Sequence, residues 1–379
     1  MSKNTVFHLW IPDIFSVKGG TQTYSAFFLK AIQNILPNSH YQVFIKNDPS
    51  LPTNHPFLPH TKFHCFGNYS SIQRTFKFSY EIFINALLNR PNLIISTHIN
   101  FTIIAYLLHK ITGVKYWCVA HGIEAWNLTN PLLKQALLHA EKILAVSGYT
   151  RDRLLQEQSI NPDKISILPN TFDSDKFKID IKPSYLLERY KLTEEKKIIL
   201  TVARLSNQEQ YKGYDKIINA LPQIRQIIPN IHYILVGKGD DQPRIEKLIS
   251  DLELQENITL TGFIPDSELC DHYNLCDIFA MPSKGEGFGI VYLEALACGK
   301  PTLAGNQDGS IDALCHGELG ALINPDNVDS IAKTIIDILQ YQYDNELIYQ
   351  PENLRQKVID IYGFNSFQNT LAQYFHPSS

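Results

Sequence analysis

The segment Pro282-Ser-Lys-Gly-Glu-Gly-Phe-Gly-Ile290 sets three glycines, Gly285, Gly287 and Gly289, around the carboxylate of Glu286, and a second carboxylate, Glu294, follows with seven residues between the two. The apolar run Ile278–Pro282 before it reads as a strand, and Ile290–Cys298 after it as a helix. Glycines at such a turn permit positive φ and close approach of backbone to a ligand. The N–H groups opening a helix suit a phosphate or diphosphate. A carboxylate beside a phosphate is unfavourable unless it bonds hydroxyl groups, so the combination points to a ligand carrying both a diphosphate and a sugar or ribose. The plainer reading is a helix start whose glycines serve only the turn.

Other residues fit the same ligand. Thr201-Val-Ala-Arg-Leu205 ends a strand and Tyr211-Lys-Gly-Tyr214 opens a helix. Arg204 would fork onto phosphate oxygens, with Lys212 as a point charge beside it. Ala120-His-Gly-Ile-Glu124 also follows a strand; a lone histidine there is most often structural. Thr97-His98 stands at a third strand end, Gly19-Gly20 joins the first strand to the first helix, and Gly237-Lys-Gly239 makes a further strand-to-helix turn. Each is a weak signal alone. Glu124 and Trp126 are candidates for lining an acceptor, although Trp126 equally suits packing. Asp173-Ser-Asp175 has the form of a metal-binding Asp-x-Asp, but it lies at the approach to a polar segment, and His98, His109 and His139 lack metal-ligand spacing.

These residues need a scaffold that ends strands beside one another. Thr5–Ile11, Tyr41–Lys46, Leu93–His98, Lys115–His121, Lys142–Ser147 and Ile165–Pro169 read as strands; Thr21–Ile35, Ser70–Leu88, Pro131–His139 and Gly148–Gln158 read as helices. The alternation restarts at Lys197–Ala203 and runs through Tyr214–Ile228, His232–Gly237, Asp241–Leu252, Ile258–Gly262, Ser267–Asn274 and Ile278–Pro282 to Pro301–Ala304. Two doubly wound α/β domains follow, with Asp173–Glu195 as a linker and a cleft expected where the strands' carboxyl ends face each other.

The composition, 379 residues with 44% hydrophobic and 19% charged, is that of an ordinary globular chain. Residues 1–180 hold 17 basic and 11 acidic side chains, a balance of +6, and the remainder stands at −10. A basic first half suits an anionic membrane or acceptor, although scattered solvated charge would give the same balance. The six cysteines, at 65, 118, 270, 276, 298 and 315, form no Cys-x-x-Cys pair and are expected as buried, reduced thiols rather than metal ligands or disulfides. Neither a signal-peptide core nor a run of about 18 apolar residues is visible, so the expected location is the cytoplasm.

The glutamate pair, with Gly262-Phe-Ile-Pro265 and Ala295-Leu-Ala-Cys-Gly-Lys-Pro301, resembles the retaining GT-B glycosyltransferases of family GT4. The resemblance covers nearly the whole chain. It implies a GT-B fold of two Rossmann-like domains facing a central cleft: residues 1–175 with a C-terminal helix, 363–379, on the acceptor side, and 176–362 on the nucleotide-sugar side. It implies roles as well. Glu286 and His121 would hold the donor sugar. Arg204 and Lys212 would stabilise the leaving diphosphate, cradled by the backbone of Gly287, Phe288, Gly289 and Ile290. Glu294 would bond the ribose, while Gly19 and Gly20 would face the donor phosphates and the acceptor; Gly237, read from its turn alone, is a further candidate for touching the nucleotide. The loop Ser206-Asn-Gln-Glu-Gln210 departs from the family by lengthening the spacing from Arg204 to Lys212.

The expected activity is metal-independent transfer of a hexose, with retention, from GDP-mannose or a UDP-hexose to an acceptor hydroxyl. The expected acceptor is a lipid-linked or polysaccharide intermediate in cell-surface glycan synthesis. Peripheral contact with an anionic membrane through the helix carrying Arg74, Phe76, Lys77, Phe78 and Tyr80 fits that acceptor. Nucleic acid is not an expected partner. The alternatives are a GT-B synthase acting on a small soluble acceptor such as a sugar phosphate, and a non-catalytic nucleotide-sugar-binding protein.

Overall fold

The structure, a computed structural model, describes residues 5–15 and 19–375. The chain divides into two compact units, one of residues 1–171 with 364–379 and one of residues 172–363.

In the first unit the strands are β1 (Val6–Ile11), β2 (His40–Ile45), β3 (Lys62–Cys65), β4 (Leu93–Ser96), β5 (Lys115–Ala120), β6 (Lys142–Ala145) and β7 (Ile165–Ile167). They pair in parallel in the order β3-β2-β1-β4-β5-β6-β7. The helices between them are α1 (Gly20–Ile35), α2 (Ser71–Asn89), α3 (Thr102–Thr112), α4 (Pro131–His139) and α5 (Gly148–Gln158). Every residue of β4 is buried and β5 is buried after Lys115, as expected for parallel strands covered on both faces. Helix starts are locally encoded: Asn130 accepts from the N–H groups of Leu132 and Leu133 at α4, and Ser147 from that of Thr150 at α5.

The second unit contains α6 (Ser184–Arg189), β8 (Lys197–Val202), α7 (Tyr214–Ile227), β9 (Ile231–Val236), α8 (Gln242–Asp251), β10 (Ile258–Gly262), α9 (Leu269–Leu275), β11 (Ile278–Met281), α10 (Ile290–Ala297), β12 (Thr302–Gly305), α11 (Ser310–Ala313), β13 (Ala321–Ile323), α12 (Val328–Leu339) and α13 (Pro351–Tyr362). Its parallel sheet runs β10-β9-β8-β11-β12-β13. The segment expected as a linker is not free chain. It carries α6, whose Leu186 and Leu187 are buried, and Phe177 packs edge-on against Tyr273 at 5.7 Å. Phe172 and Phe177 are both buried.

Helix α14 (Phe364–Phe375) returns to the first unit. Its Phe367 meets Tyr24 edge-on at 5.6 Å, and Phe375 lies 6.0 Å from Phe7 and 4.7 Å from Trp117. The cysteines are free; Cys118, Cys276 and Cys298 are buried, whereas Cys65, Cys270 and Cys315 are only partly so. Among the described residues no helix is long and apolar enough to cross a membrane.

Candidate active site

Each sheet reverses its strand order at one place, between β1 and β4 in the first unit and between β8 and β11 in the second. Loops leaving the carboxyl ends of strands that flank such a reversal diverge and leave a crevice, the usual ligand site of an open α/β sheet. In the second unit the two loops are those of Arg204 and Glu286. Lys212 Nζ lies 2.5 Å from Glu286 Oε1 and 3.7 Å from Glu209 Oε2, and Arg204 Nη2 lies 2.8 Å from Glu209 Oε1. The side chains of Lys212, Glu209 and Glu286 are each about 15% exposed, whereas Arg204, paired to Glu209, is 73% exposed.

The glycine-rich loop is held from behind. Asp308, in the loop after β12, accepts from Ser283 Oγ (2.5 Å), the Glu286 N–H (2.7 Å), and the N–H and hydroxyl of Ser310 (2.9 and 2.5 Å). Burial pushes the Asp308 carboxyl above its ordinary range, and these donors oppose the shift. Next to it Gly309 donates to the Glu286 carbonyl at 2.8 Å, and a Cβ at Gly309 would stand 2.0 Å from the carbonyl oxygen of Gly287. Only glycine allows that approach. Gly289 has φ +89° and caps α10, so the chain turns into the helix with the first-turn amides left over by the helical ladder. The Phe288 ring is buried edge-on against Tyr362 at 5.4 Å, which leaves only the backbone of this residue for a ligand.

Glu294 is not in the ion-pair network. Its Oε2 accepts from the Tyr273 hydroxyl at 2.7 Å, and burial pushes its carboxyl up to about 7 against that bond. Gly237 has φ +136°, donates to Gly262 at 3.0 Å, and would bring a Cβ within 1.8 Å of the Ala203 carbonyl. Its N–H is thus engaged by protein, and its missing side chain serves the close packing of the loop against the strand end bearing Arg204.

In the first unit His121 follows β5. Its Nε2 is 2.9 Å from the Thr97 carbonyl, which fixes the proton on Nε2 and leaves Nδ1 as an acceptor. Burial lowers its pKa to about 4, partly opposed by the Thr97 bond, so the ring is neutral near pH 7. Its N–H donates to Glu124 Oε1 at 2.6 Å, and its ring meets Tyr24 of α1 edge-on at 5.0 Å. Glu124 therefore turns inward to hold the His121 backbone. Burial raises its carboxyl, and burial lowers His98, whose charge couples to both Glu124 and His121. Trp126 packs beneath Arg153 at 4.9 Å and against Tyr149. Gly19 is extended at φ −171° and Gly20 opens α1, so φ does not demand glycine at the cap; Val17 and Lys18 of the same loop lie outside the described residues. Asp173 caps its own turn, accepting from the N–H groups of Asp175 and Lys176 at 3.1 Å each.

Family models match both units. A model described as glycosyl transferases group 1 matches residues 186–357, and one described as glycosyltransferase family 4 matches residues 23–176. The chain belongs to glycosyltransferase family 4, of the GT-B fold. A GDP-mannose-dependent alpha-(1-6)-phosphatidylinositol monomannoside mannosyltransferase from Mycolicibacterium smegmatis is 33% identical over 233 residues, covering 58% of this chain and 59% of that protein. The gpi3 subunit of phosphatidylinositol N-acetylglucosaminyltransferase from Schizosaccharomyces pombe is 23% identical over 74% of this chain and 62% of that protein. The alignment thus spans under two thirds of either relative. HepE from Anabaena in complex with UDP shares the fold at a TM-score of 0.79 and 20% identity, with 99% of this chain and 100% of that one covered. Sucrose-phosphate synthase from Thermosynechococcus elongatus does so at 0.78 and 19%, with 98% of each covered.

The sequence pattern did not mark Asp308, Tyr273 or Glu209. Asp308-Gly-Ser310 after β12 carried a usable signal, a carboxylate and a glycine in a loop leaving the same sheet edge.

Proposed function

We propose that this family 4 glycosyltransferase moves a hexose from a nucleoside-diphosphate sugar to an acceptor hydroxyl, with retention of anomeric configuration and without a metal ion. The observation that carries this reading is the network joining Arg204, Lys212 and Glu286 where the second sheet reverses its order, beside the first turn of α10. Departure of a nucleoside diphosphate builds negative charge. Arg204, Lys212 and the backbone of Gly287–Ile290 would stabilise it in place of a divalent cation. Glu286 would orient the sugar, and Nδ1 of neutral His121 would accept a sugar hydroxyl. Glu294 would bond the ribose, with Gly19 and Gly20 near the phosphates. With no nucleophile assigned to the opposite face, the reaction would pass through an oxocarbenium-like front-face step in which the departing phosphate helps deprotonate the acceptor.

GDP-mannose is favoured as donor over a UDP-hexose, supported by the GDP-mannose dependence of the Mycolicibacterium relative. A lipid-linked or polysaccharide acceptor is favoured because that relative and the fission-yeast one are named for phosphatidylinositol substrates. Helix α2 supports the same reading. Ile72, Phe76 and Tyr80, spaced by four residues, are 74%, 73% and 64% exposed on one face, with Lys77 beside them. Phe78 instead faces the core, and Arg74 is turned onto the Tyr69 carbonyl and Asn47, so the membrane-facing set is smaller than the sequence indicated.

Donor hydrolysis measured over UDP-, GDP- and ADP-sugars, with and without EDTA, tests the donor and the metal together. Glu286→Gln should lower turnover by roughly 10²- to 10³-fold while the nucleotide still binds. Near-normal turnover in that variant, or loss of activity with EDTA, would count against the reading. Transfer to a soluble sugar phosphate in preference to lipid-linked acceptors would reverse the choice of acceptor.

A further inference from the structure

The loop that departs from the family pattern, between Arg204 and Lys212, contains Glu209, and this carboxylate is aimed at both cations (2.8 Å to Arg204, 3.7 Å to Lys212). It is held there. The Asn207 N–H donates to Asp240 at 3.0 Å, Gln210 Nε2 to Asp241 at 3.2 Å, and the Lys284 N–H to the Tyr211 carbonyl at 2.9 Å, while the Tyr211 ring lies where a side chain on Gly285 would sit. Glu209 itself is 16% exposed. Two cations therefore face two carboxylates, Glu209 and Glu286, and the local charge is balanced. An arriving diphosphate brings at least two negative charges next to both. Glu286 is retained for the sugar in the reading above; Glu209 has no such task, and like charges this close repel strongly in a partly desolvated site.

We propose that Glu209 is an internal counter-anion. It holds Arg204 and leans on Lys212 while the site is empty, is displaced by the donor's diphosphate, and returns to expel the nucleoside diphosphate after transfer. It is a positioning residue, acting through the two cations. The proposal rests on the reading of this site as one for a nucleoside-diphosphate sugar.

The test measures binding of UDP and GDP by calorimetry, and their dissociation by stopped flow, in the full chain and in the Glu209→Gln, Glu209→Ala, Glu209→Asp and Arg204→Ala variants. Removing the charge should tighten nucleotide binding by about ten-fold, mainly through slower dissociation, a size typical of a charge-assisted contact. Product inhibition should strengthen in step. The conservative Glu209→Asp change should restore affinity near that of the natural chain, and the difference between the natural chain and Glu209→Gln should shrink at high salt. Unchanged or weaker binding in both Glu209→Gln and Glu209→Ala, with Arg204→Ala still weakening it, would overturn this proposal and leave the donor site standing. Failure of the natural chain to bind UDP, GDP or ADP would overturn both.

Discussion

Glu294 is a carboxylate that burial makes reluctant to ionise, with its pKa raised to about 7 despite the Tyr273 hydroxyl. In the unfolded chain it would titrate near the ordinary glutamate value of about 4.3. Between those values the folded state binds more protons than the unfolded one, so the stabilisation is full below the lower value and is lost as pH rises through about 7. Glu294→Gln removes this dependence. We expect the variant to match the natural chain near pH 5 and to exceed its stability at pH 8 by on the order of 2 kcal/mol, read by urea denaturation at both pH values. Parallel pH profiles for the two proteins would refute it. The same titration should raise the donor KM below pH 7 in the natural chain and not in the variant. The sequence displayed the carboxylates, cations and glycines at the strand ends, because a ligand site concentrates unusual residue types at a few positions. It did not display Glu209 or Asp308, whose roles depend on distances across separate loops rather than on spacing within one.

At the scale of elements, α2 makes the sharpest case. An apolar stripe at Ile72, Phe76 and Tyr80 standing in water next to Lys77 is poorly explained by packing inside the first unit. If it seats on an anionic bilayer, replacing Ile72 and Phe76 with Ser should lower co-sedimentation with phosphatidylglycerol vesicles by roughly ten-fold or more, since each buried apolar side chain contributes about 1.5–3 kcal/mol. Equal sedimentation of the variant and the natural chain would remove α2 from any membrane role. The strong periodic elements were readable with small boundary shifts: α1, α4 and α5 stand where the pattern placed them. Others were not marked. Helix α3, Thr-Ile-Ile-Ala-Tyr-Leu-Leu-His-Lys-Ile-Thr, is too evenly apolar to show a polar face, β3 is a short edge strand, and α6 is under two turns long. Helix α12 had the signal, with buried Ile331, Ile335 and Ile338 behind an Asn327 cap.

For the molecule as a whole, α14 is the element whose place sequence distance conceals. Phe375 is 8% exposed, against Phe7 and Trp117. Phe375→Ala should destabilise the first unit by about 2–4 kcal/mol, toward the lower part of the range for buried aromatic truncation because the site is at an edge. Trp10, Trp117 and Trp126 account for all three tryptophans and all lie in the first unit, so their fluorescence in a urea titration reports that unit alone. The midpoint should fall by about 1 M or more, given typical urea slopes, while the nucleotide binding proposed for the second unit persists. An unmoved midpoint would show that α14 adds little to this core. The dependence also has a consequence in time. Residues 364–375 are translated after the whole of the second unit, Phe172–Gly363, has been made. At ordinary synthesis rates the first unit waits roughly 10–40 s for the helix that covers Phe7, Tyr24 and Trp117. During that interval its sheet leaves the ribosome with an apolar flank uncovered.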